Sequence, residues 1–159
     1  MSEKKTEGEA GIKIICDNRK AFHNFFIEDR YEAGMVLKGT EVKALRAGKA
    51  HLRDAYGVFK NRELFLINAH IAPYDMGNRE NHEPLRTRKL LLKLSELNKL
   101  WGRVEVDGLH LIPTKMYFKK GRAKVEIGLA RSKKAHDKRS SIKDRENKRQ
   151  MDRLKRTTR

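Results

Sequence analysis

Apolar and polar residues alternate along several short stretches of the chain, a pattern that predicts half-buried β-strands. In AKVEIGLA, residues 123–130, every second residue from Ala123 to Leu129 is apolar, and Lys124 lies on the opposite face. Lys124 therefore points away from the predicted core. A solvated lysine and a phosphate contact are equally good interpretations of this position.

Two other predicted strands direct a notable side chain outward. In YEAGMVL, Glu32 opposes an apolar face, and a salt bridge with a basic neighbour is favoured over a hydrogen bond from a nucleobase. In RTRKLLLKL, residues 86–94, the alternation places Leu91 outside between Lys89 and Lys93, with the other leucines in the core. An exposed leucine between two lysines is a candidate for packing on a base or a ribose.

Turn residues divide the remaining strands. Residues 61–62 separate AYGVFK from ELFLINAHI, and residues 119–121 separate LHLIPTKMYF from AKVEIGLA, so each pair predicts a hairpin. KIIC, FHNFFIED and YEAGMVL predict consecutive strands before them. Pro113 predicts that its strand lies at an edge or contains a bulge, because proline lacks the amide proton that a sheet needs.

Two segments predict short helices. GTEVKALRAGKA has Thr40 as its N-cap and Gly48 after its last turn, and SELNKLWGR has Ser95 as its cap and Gly102 as its stop. Many short strands with two or three short helices predict a mainly β fold, a small antiparallel barrel of oligonucleotide-binding type. The pattern alone does not separate this barrel from other small barrels, and it leaves residues 73–84 as a long polar loop.

Charge narrows the class of partner. The formal net charge is +17, and the isoelectric point is about 10.2. This predicts a polyanion partner, DNA or RNA, ahead of a membrane surface. Because no apolar run exceeds four residues, we expect neither a transmembrane helix nor a signal peptide. Cys16 is the single cysteine, predicted to be a small buried hydrophobe, so we expect a cytoplasmic protein.

The charge distribution divides the chain into three parts. Residues 131–159 carry +9, against +8 for the other 130 residues, and contain few apolar side chains. We expect residues 1–11 to be a disordered lead, residues 12–130 to form the barrel, and residues 131–159 to be a basic tail that is disordered when free.

The tail is nevertheless suited to become a helix. It contains no glycine or proline, and Asp144 with Lys148 and Asp152 with Arg156 form acid-to-base i,i+4 pairs. Such pairs stabilise a helix by about 0.2–0.5 kcal/mol each. An RNA channel would neutralise the repulsion among the cations, so we expect folding on binding.

Catalytic motifs are missing from the sequence. There is no GxxxxGK[ST] loop, and the six histidines lack the spacing of a zinc pair. Glu28, Asp29 and Glu41 are the carboxylates from which a metal-dependent nuclease would be built. A solvated turn pair and an acid in the first turn of a helix are the better interpretations. We therefore expect no enzyme activity, no cofactor and no metal.

Three segments of the sequence resemble one family. NRKAFHNFFIEDRYEAGMVLKGTEVKALRAGKAHLRDAY, NHEPLRTRKLLL and GRAKVEIGLARSKKAHDKRSSIKDR closely resemble the small protein B (SmpB) family, which binds transfer-messenger RNA (tmRNA) in bacterial trans-translation. The resemblance extends from about residue 12 to about residue 150. It departs at Asn147, where the family often has an aromatic residue.

The resemblance implies a non-enzymatic RNA-binding protein, which we expect to be a monomer. It implies binding near the elbow of the tRNA-like domain of tmRNA and entry into the A site of a stalled 70S ribosome. There the tail would contact ribosomal RNA in the vacant decoding and mRNA path. A ribosomal or assembly protein remains the alternative and would be present on all ribosomes, not only on stalled ones.

The resemblance and the charge pattern together give the candidate site residues. The candidates for contact with tmRNA are Asn18, Arg19, Glu32, Gly34, Arg86, Arg88, Lys89, Leu91, Lys124, Lys133 and Lys134. The candidates for contact with the ribosome are His136, Asp137, Lys138, Arg139, Lys143, Arg145, Arg149 and Arg153.

Overall fold

A computed structural model describes residues 11–157, which form nine strands, four α-helices and one short 3₁₀ helix. The predicted lead lies outside the described residues except for Gly11, as do residues 158–159. The strands are β1 (Ile12–Asp17), β2 (Phe25–Met35), β3 (Ala50–His51), β4 (Tyr56–Lys60), β5 (Glu63–Ile67), β6 (His70–Ile71), β7 (Arg88–Leu91), β8 (His110–Lys119) and β9 (Arg122–Ser132). The helices are α1 (Arg19–Asn24), α2 (Gly39–Arg46), the 3₁₀ helix Asn78–Glu80, α3 (Leu94–Asp107) and α4 (Ala135–Thr157).

Six of these strands close into a barrel. Antiparallel pairing runs in the order β8-β4-β5-β7-β2-β9, and β9 pairs with β8 again to complete the ring. β1 pairs with the second half of β8, on the side where β4 pairs with the first half. Closure depends on two long strands, because β8 with 10 residues and β9 with 11 each pair on both edges. The predicted small antiparallel barrel is confirmed.

Apolar side chains on alternate positions fill the barrel. The predicted inward face of β9 is confirmed, because Val125, Ile127 and Leu129 are fully buried. The other strands of the ring contribute in the same way, with Ala33, Leu64, Leu66, Leu90 and Met116 all buried. The residues between them in sequence point outward and form the barrel's surface.

Both predicted hairpins are confirmed, and backbone conformation explains their tightness. Asn61 and Arg62 join β4 to β5 with φ of 51° and 60°, and Lys120 and Gly121 join β8 to β9 with φ of 51° and 75°. Two consecutive residues with positive φ are characteristic of a type I′ turn, whose twist matches that of the paired strands.

The segment before β2 differs from the prediction. FHNFFIED was expected to be a strand throughout, but its first three residues end α1, and the strand begins at Phe25. α1 buries Ala21 in a small apolar cluster with Ile112 and Ala130. This tertiary contact outweighs the strand preference of the aromatic residues.

Two bulges shift the strand register. FHNFFIED and YEAGMVL were predicted as separate strands, but β2 continues through both with a register shift between Ile27 and Asp29. A second shift lies in β8 between Pro113 and Lys115. Of the two alternatives predicted for Pro113, an edge strand or a bulge, the structure has the bulge, and β8 pairs with neighbours on both sides.

α2 starts two residues earlier than expected. Its N-cap is Lys38, whose amide donates to Glu41 Oε2 at 2.8 Å, so Thr40 is not the cap. The hydroxyl of Thr40 instead forms a hydrogen bond of 2.9 Å with His82 Nδ1. Gly48 follows the helix with φ of 72°, as predicted.

α3 is longer at both ends than predicted. It begins at Leu94, which is exposed rather than in the core, and its N-cap is Lys93, not Ser95. It continues through Gly102 to Asp107, and Gly108 with φ of 63° follows its last turn. A glycine within a helix costs about 1 kcal/mol. Packing of the helix against the barrel offsets this penalty, which sequence alone does not reveal.

Replacing Gly57 and Gly102 with alanine should shift stability in opposite directions. A Cβ at Gly57 in β4 would lie 2.9 Å from Leu111 Cβ, so Gly57→Ala should destabilise the fold by about 1–3 kcal/mol. A Cβ at Gly102 meets nothing within 4 Å, so Gly102→Ala should stabilise it by about 0.5–1 kcal/mol. Urea denaturation of the two variants measures both effects, and equal shifts would contradict the assigned packing.

Candidate nucleic-acid interface

One row of paired residues crosses three strands on the outside of the barrel. Gly34 on β2 pairs with Leu91 on β7 and with Lys124 on β9. Directly paired residues of antiparallel strands project on the same side of a sheet. Leu91 is 51% exposed, so the outward placement predicted for it is confirmed, and Lys124 shares that side. We call Leu91, Gly34 and Lys124 the outer row.

The outer row is shallow at its centre because Gly34 has no side chain. A Cβ there would lie 3.5 Å from Leu91 Cβ and 3.7 Å from Lys124 Nζ. An apolar side chain and an ammonium group thus approach each other above the backbone of Gly34. This combination suits an unpaired nucleotide, because the leucine can pack on a base or ribose while the ammonium neutralises a phosphate.

Glu32 projects on the same face of β2, two residues before Gly34. Its Oε2 accepts hydrogen bonds from the Tyr117 hydroxyl and from Lys119 Nζ, the latter at 3.3 Å. The hydrogen bond from Tyr117 is the main cause that lowers the pKa of Glu32, while slight burial opposes it and Lys119 and Lys124 add to the lowering. The predicted salt bridge is confirmed, and its cation is Lys119.

Tyr117 was missed from the sequence because the β8 bulge reverses the alternation. Leu111 points inward before the bulge and Met116 after it, although their positions differ by an odd number. A signal was nevertheless present. Lys115 and Lys119 flank Tyr117 at a spacing of two residues, and outward lysines place the residue midway between them on the outward face.

The structure corrects the assignment of Arg88 as an RNA contact. Its side chain is completely buried, and its guanidinium donates to Glu41 Oε1 at 3.0 Å, to the Ala69 carbonyl at 2.6 Å and to the Pro84 carbonyl at 3.1 Å. A guanidinium engaged in this way is not accessible to RNA. Arg88 instead holds β7 against α2 and the loop that precedes β7.

Glu41 joins Arg86 to the same buried cluster. Arg86 donates to both Glu41 oxygens, at 2.9 Å and 2.8 Å, and to the Val36 carbonyl at 3.2 Å. Burial raises the pKa of Glu41, but the hydrogen bonds from Arg86 and the Lys38 amide, with the attraction of Arg88, outweigh it and hold the pKa at about 2. Arg86 remains about one-quarter exposed, so an RNA contact by Arg86 stays a prediction.

Lys89 lies on the outer face of β7, two residues before Leu91. Its Nζ forms an exposed salt bridge of 2.9 Å with Glu63. Exposed pairs of this kind contribute about 0–1 kcal/mol, so the lysine is available for exchange to a phosphate. Contact of Lys89 with RNA stays a prediction that its position supports.

Asn18 is also placed differently from the expectation. It is 5% exposed, and its amide group donates to the Pro113 carbonyl at 2.9 Å, while its backbone amide donates to Thr114. These bonds fix the start of α1 to the β8 bulge. Direct recognition of RNA by this buried side chain is therefore not supported, whereas the neighbouring Arg19 is exposed.

The two lysines before α4 have different surroundings. Lys133 Nζ donates to the Phe22 carbonyl at 3.0 Å and to Ser141 Oγ at 3.3 Å, and it lies 4.8 Å from the centre of the Phe26 ring. It thus connects the base of α4 to the barrel. Lys134 is exposed, and contact of either lysine with RNA stays a prediction.

The candidate ribosome-binding residues all lie on α4, a helix of 23 residues. His136 Nε2 lies 3.0 Å from Asp137 Oδ1, and Asp137 Oδ2 accepts from the Lys134 amide at 3.1 Å. The exposed members are His136, Arg139, Lys143, Arg145, Arg149 and Arg153, with Asp137 and Lys138 partly exposed. The helix agrees with the prediction that the tail is able to become helical. Disorder of the tail in the free protein stays a prediction.

The loop that the sequence left unplaced, residues 73–84, is held to the barrel. The side chain of Asn81 bonds both the amide and the carbonyl of Tyr74, at 3.0 Å and 2.7 Å. His82 is buried, with Nε2 at 2.9 Å from the Ile71 carbonyl and Nδ1 bound to Thr40. These contacts place the loop beside α2, next to the Glu41 cluster.

The carboxylates considered for a nuclease serve as ion-pair partners. Glu28 pairs with Arg103 at 2.8 Å and with Arg131 at 3.2 Å, and Asp29 lies 3.8 Å from Arg103. Across residues 11–157 no three His, Cys, Asp or Glu side chains are grouped to hold a metal ion.

Burial raises the pKa of Cys16 to about 11, which leaves its thiol protonated.

Helices within the described range are too short or too polar to cross a membrane.

Known proteins resemble this chain over most of its length. The model of the family described as "SmpB protein" matches residues 15–157. The SsrA-binding protein of Geobacter metallireducens is 55% identical, and the match covers 89% of this chain and 92% of the relative. The SsrA-binding protein of Syntrophotalea carbinolica is 57% identical, and the match covers 89% of this chain and 94% of the relative. A solved structure described as "tmRNA-SmpB: a journey to the center of the bacterial ribosome" superposes with a TM-score of 0.65 at 49% identity, covering 80% of this chain and 93% of the other. On the strength of the family model and of these relatives, the chain belongs to the SmpB family.

Proposed function

We propose that this protein binds the tRNA-like domain of tmRNA and acts with it in trans-translation. The relatives are named SsrA-binding proteins, and the similar solved structure is of a tmRNA–SmpB complex on the bacterial ribosome. SmpB proteins are RNA-binding proteins rather than enzymes. The observation that carries the proposal for this chain is the outer row, where Leu91 and Lys124 flank Gly34.

The outer row would receive an unpaired nucleotide near the elbow of the tRNA-like domain. Sequence-selective proteins recognise RNA in loops, where bases are unstacked and accessible, because the major groove of an RNA duplex is too narrow to read. The net charge of +17 adds affinity for the phosphates without regard to sequence. Selectivity then comes from the outer row and Glu32.

The tail would act in a second step, on the ribosome. We propose that the complex enters the A site of a stalled 70S ribosome and that α4 lies in the vacant mRNA path, with His136 to Arg139 nearest the decoding site. A helix of 23 residues spans about 35 Å at 1.5 Å per residue. Its exposed cations suit a channel lined by ribosomal RNA, and this step takes place in the cytoplasm, with the protein as a monomer.

Selective binding of RNA tests the first step. Affinity for the isolated tRNA-like domain is compared with affinity for a duplex of the same length at physiological salt, because low salt favours non-specific binding. We expect a clear preference for the tRNA-like domain. Equal affinities would show a general polyanion binder and would favour a ribosomal assembly protein.

Adding a side chain at Gly34, in the centre of the outer row, should weaken binding of the tRNA-like domain. Gly34→Val places two methyl groups between Leu91 and Lys124, so we expect roughly tenfold lower affinity, the loss of about one base contact. Gly34→Ala adds only a Cβ at ordinary contact distance and should have a smaller effect. Fluorescence anisotropy with the tRNA-like domain measures both variants, and thermal unfolding checks that they remain folded. Full affinity in the valine variant would show that RNA binds elsewhere.

A further inference from the structure

We infer that Tyr117 is a positioning residue for RNA recognition: it holds Oε2 of Glu32 so that Oε1 accepts a hydrogen bond from the exocyclic amino group of an unpaired nucleobase. This inference rests on the proposed binding of RNA at the outer row and names a residue that neither alternation nor the family resemblance identified.

Tyr117 extends the outer row onto a fourth strand. It pairs with Lys124 across β8 and β9, and Lys124 pairs with Gly34 across β9 and β2. Tyr117 is 4% exposed, so its ring is fixed by its neighbours, and its hydroxyl reaches across β9 to the Glu32 carboxylate. A ring held in this way provides a donor whose position does not depend on a flexible chain.

The two oxygens of Glu32 differ in their hydrogen bonding. Oε2 accepts from Tyr117 and Lys119, whereas the hydrogen bonds found among residues 11–157 include none to Oε1. The Glu32 side chain is exposed on the face that carries the outer row, which leaves Oε1 as the oxygen for a partner from solution. The carboxylate therefore has one fixed oxygen and one accessible oxygen.

The charges around Glu32 decide what Oε1 accepts. Lys119 and Tyr117 on β8 and Lys124 on β9 favour the ionised carboxylate. Glu126, which pairs with Glu32 across β2 and β9, binds the Thr114 hydroxyl at 2.6 Å and Lys115 at 3.6 Å. An ionised carboxylate only accepts hydrogen bonds and repels phosphate, so its RNA partner must be a donor such as a base amino group.

Orientation is what the tyrosine contributes. Without its hydroxyl, the carboxylate would turn freely between the ammonium groups of Lys119 and Lys124, since a surface carboxylate is not held by one exposed salt bridge. With it, Oε1 faces the nucleotide at the outer row before RNA arrives. Less conformational freedom is then lost on binding.

A double-mutant cycle tests the inference. Affinity for the tRNA-like domain is measured for Glu32→Ala, Tyr117→Phe and the double variant at physiological salt. We expect Glu32→Ala to lower affinity about tenfold, as for one hydrogen bond to a charged group. Tyr117→Phe should lower it by roughly threefold to fivefold, and should have no further effect in the Glu32→Ala background.

Glu126→Ala is the matched control, because it also removes a carboxylate from the same face. The gain in positive charge should leave affinity unchanged or slightly higher. If Glu32 served only as an ion-pair partner, Glu32→Ala would behave like Glu126→Ala, and that result would overturn the inference. A wild-type protein with no preference for the tRNA-like domain would instead contradict the proposed function, so the two failures are distinguishable.

A titration of the free protein provides a second measurement. Carbon-detected NMR of the Glu32 carboxyl should show that Tyr117→Phe raises its pKa, because the hydrogen bond that stabilises the ionised form is lost. If Tyr117→Phe does not fold, Lys119→Met removes the other donor to Oε2 and should raise the same pKa. An unchanged pKa in the variant measured, with affinity equal to that of the wild type, would overturn the positioning role.

Discussion

Removal of residues 136–159 should abolish tagging of nascent chains on stalled ribosomes while leaving selective binding of the tRNA-like domain intact. The outer row lies on β7, β2 and β9, and the deletion leaves these strands whole. The barrel should also remain stable, because the apolar residues of α4, Ile142 and Met151 among them, are exposed rather than part of its core. A reconstituted translation reaction with an mRNA that lacks a stop codon measures tagging directly.

A tail of identical composition in scrambled order is the matched control for this deletion. It restores the positive charge, which raises affinity for any RNA, but not the order of residues from His136 to Arg139. We expect the protein with the scrambled tail to bind any RNA more tightly than the deletion does, without recovering tagging. Recovery of tagging would show that the tail is only an electrostatic anchor, as would loss of selective RNA binding in the deletion.

Glu41→Gln should destabilise the fold by about 3–5 kcal/mol. The substitution preserves shape but leaves Arg88, which is completely buried, without a compensating charge. The loss should separate α2 from β7, since Glu41 lies on the helix and Arg88 on the strand. Chemical denaturation at neutral pH measures the change.

Glu63→Gln is the control, because it breaks the exposed pair with Lys89 and should change stability by less than about 1 kcal/mol. A similar small effect of Glu41→Gln would contradict the role assigned to the buried cluster. The pH dependence gives a second criterion. Because the pKa of Glu41 is lowered to about 2 in the folded state, its contribution is complete above the unfolded-state value of about 4.5 and is lost as pH falls toward 2. Glu41→Gln should remove this acid-sensitive component.

Features governed by local chemistry could be predicted from the sequence. Positive φ at Asn61 is tolerated by asparagine, and the hairpin there follows from two strands with a two-residue turn between them. Alternation with a period of two placed Leu91 and Lys124 on the outside. These predictions needed only residues within one strand or one turn.

Features that depend on distant residues could not be predicted in the same way. Arg88 looks like a surface cation in RTRKLLL. Its charge can be buried only because it pairs with the carboxylate of Glu41, 47 positions earlier in the sequence. Asn18 looks like a loop residue until the Pro113 carbonyl is found beside its amide group. The bulge in β8 hid Tyr117, because one extra residue moves every later side chain to the opposite face.

The seam between β2 and β7 has a consequence for how the barrel and its ligand depend on each other. Only two residue pairs join these strands, Gly34 with Leu91 and Met35 with Leu90, whereas nine join β2 to β9. A nucleotide seated on the outer row would contact β7 and β9 at once and so bridge one of the two shortest seams of the ring, the other being the single pair between β4 and β8. Binding of RNA then opposes opening of this seam, and opening of the seam favours release of RNA, because the two equilibria are linked. Bound RNA would thus stabilise the closed form of the barrel to which it binds.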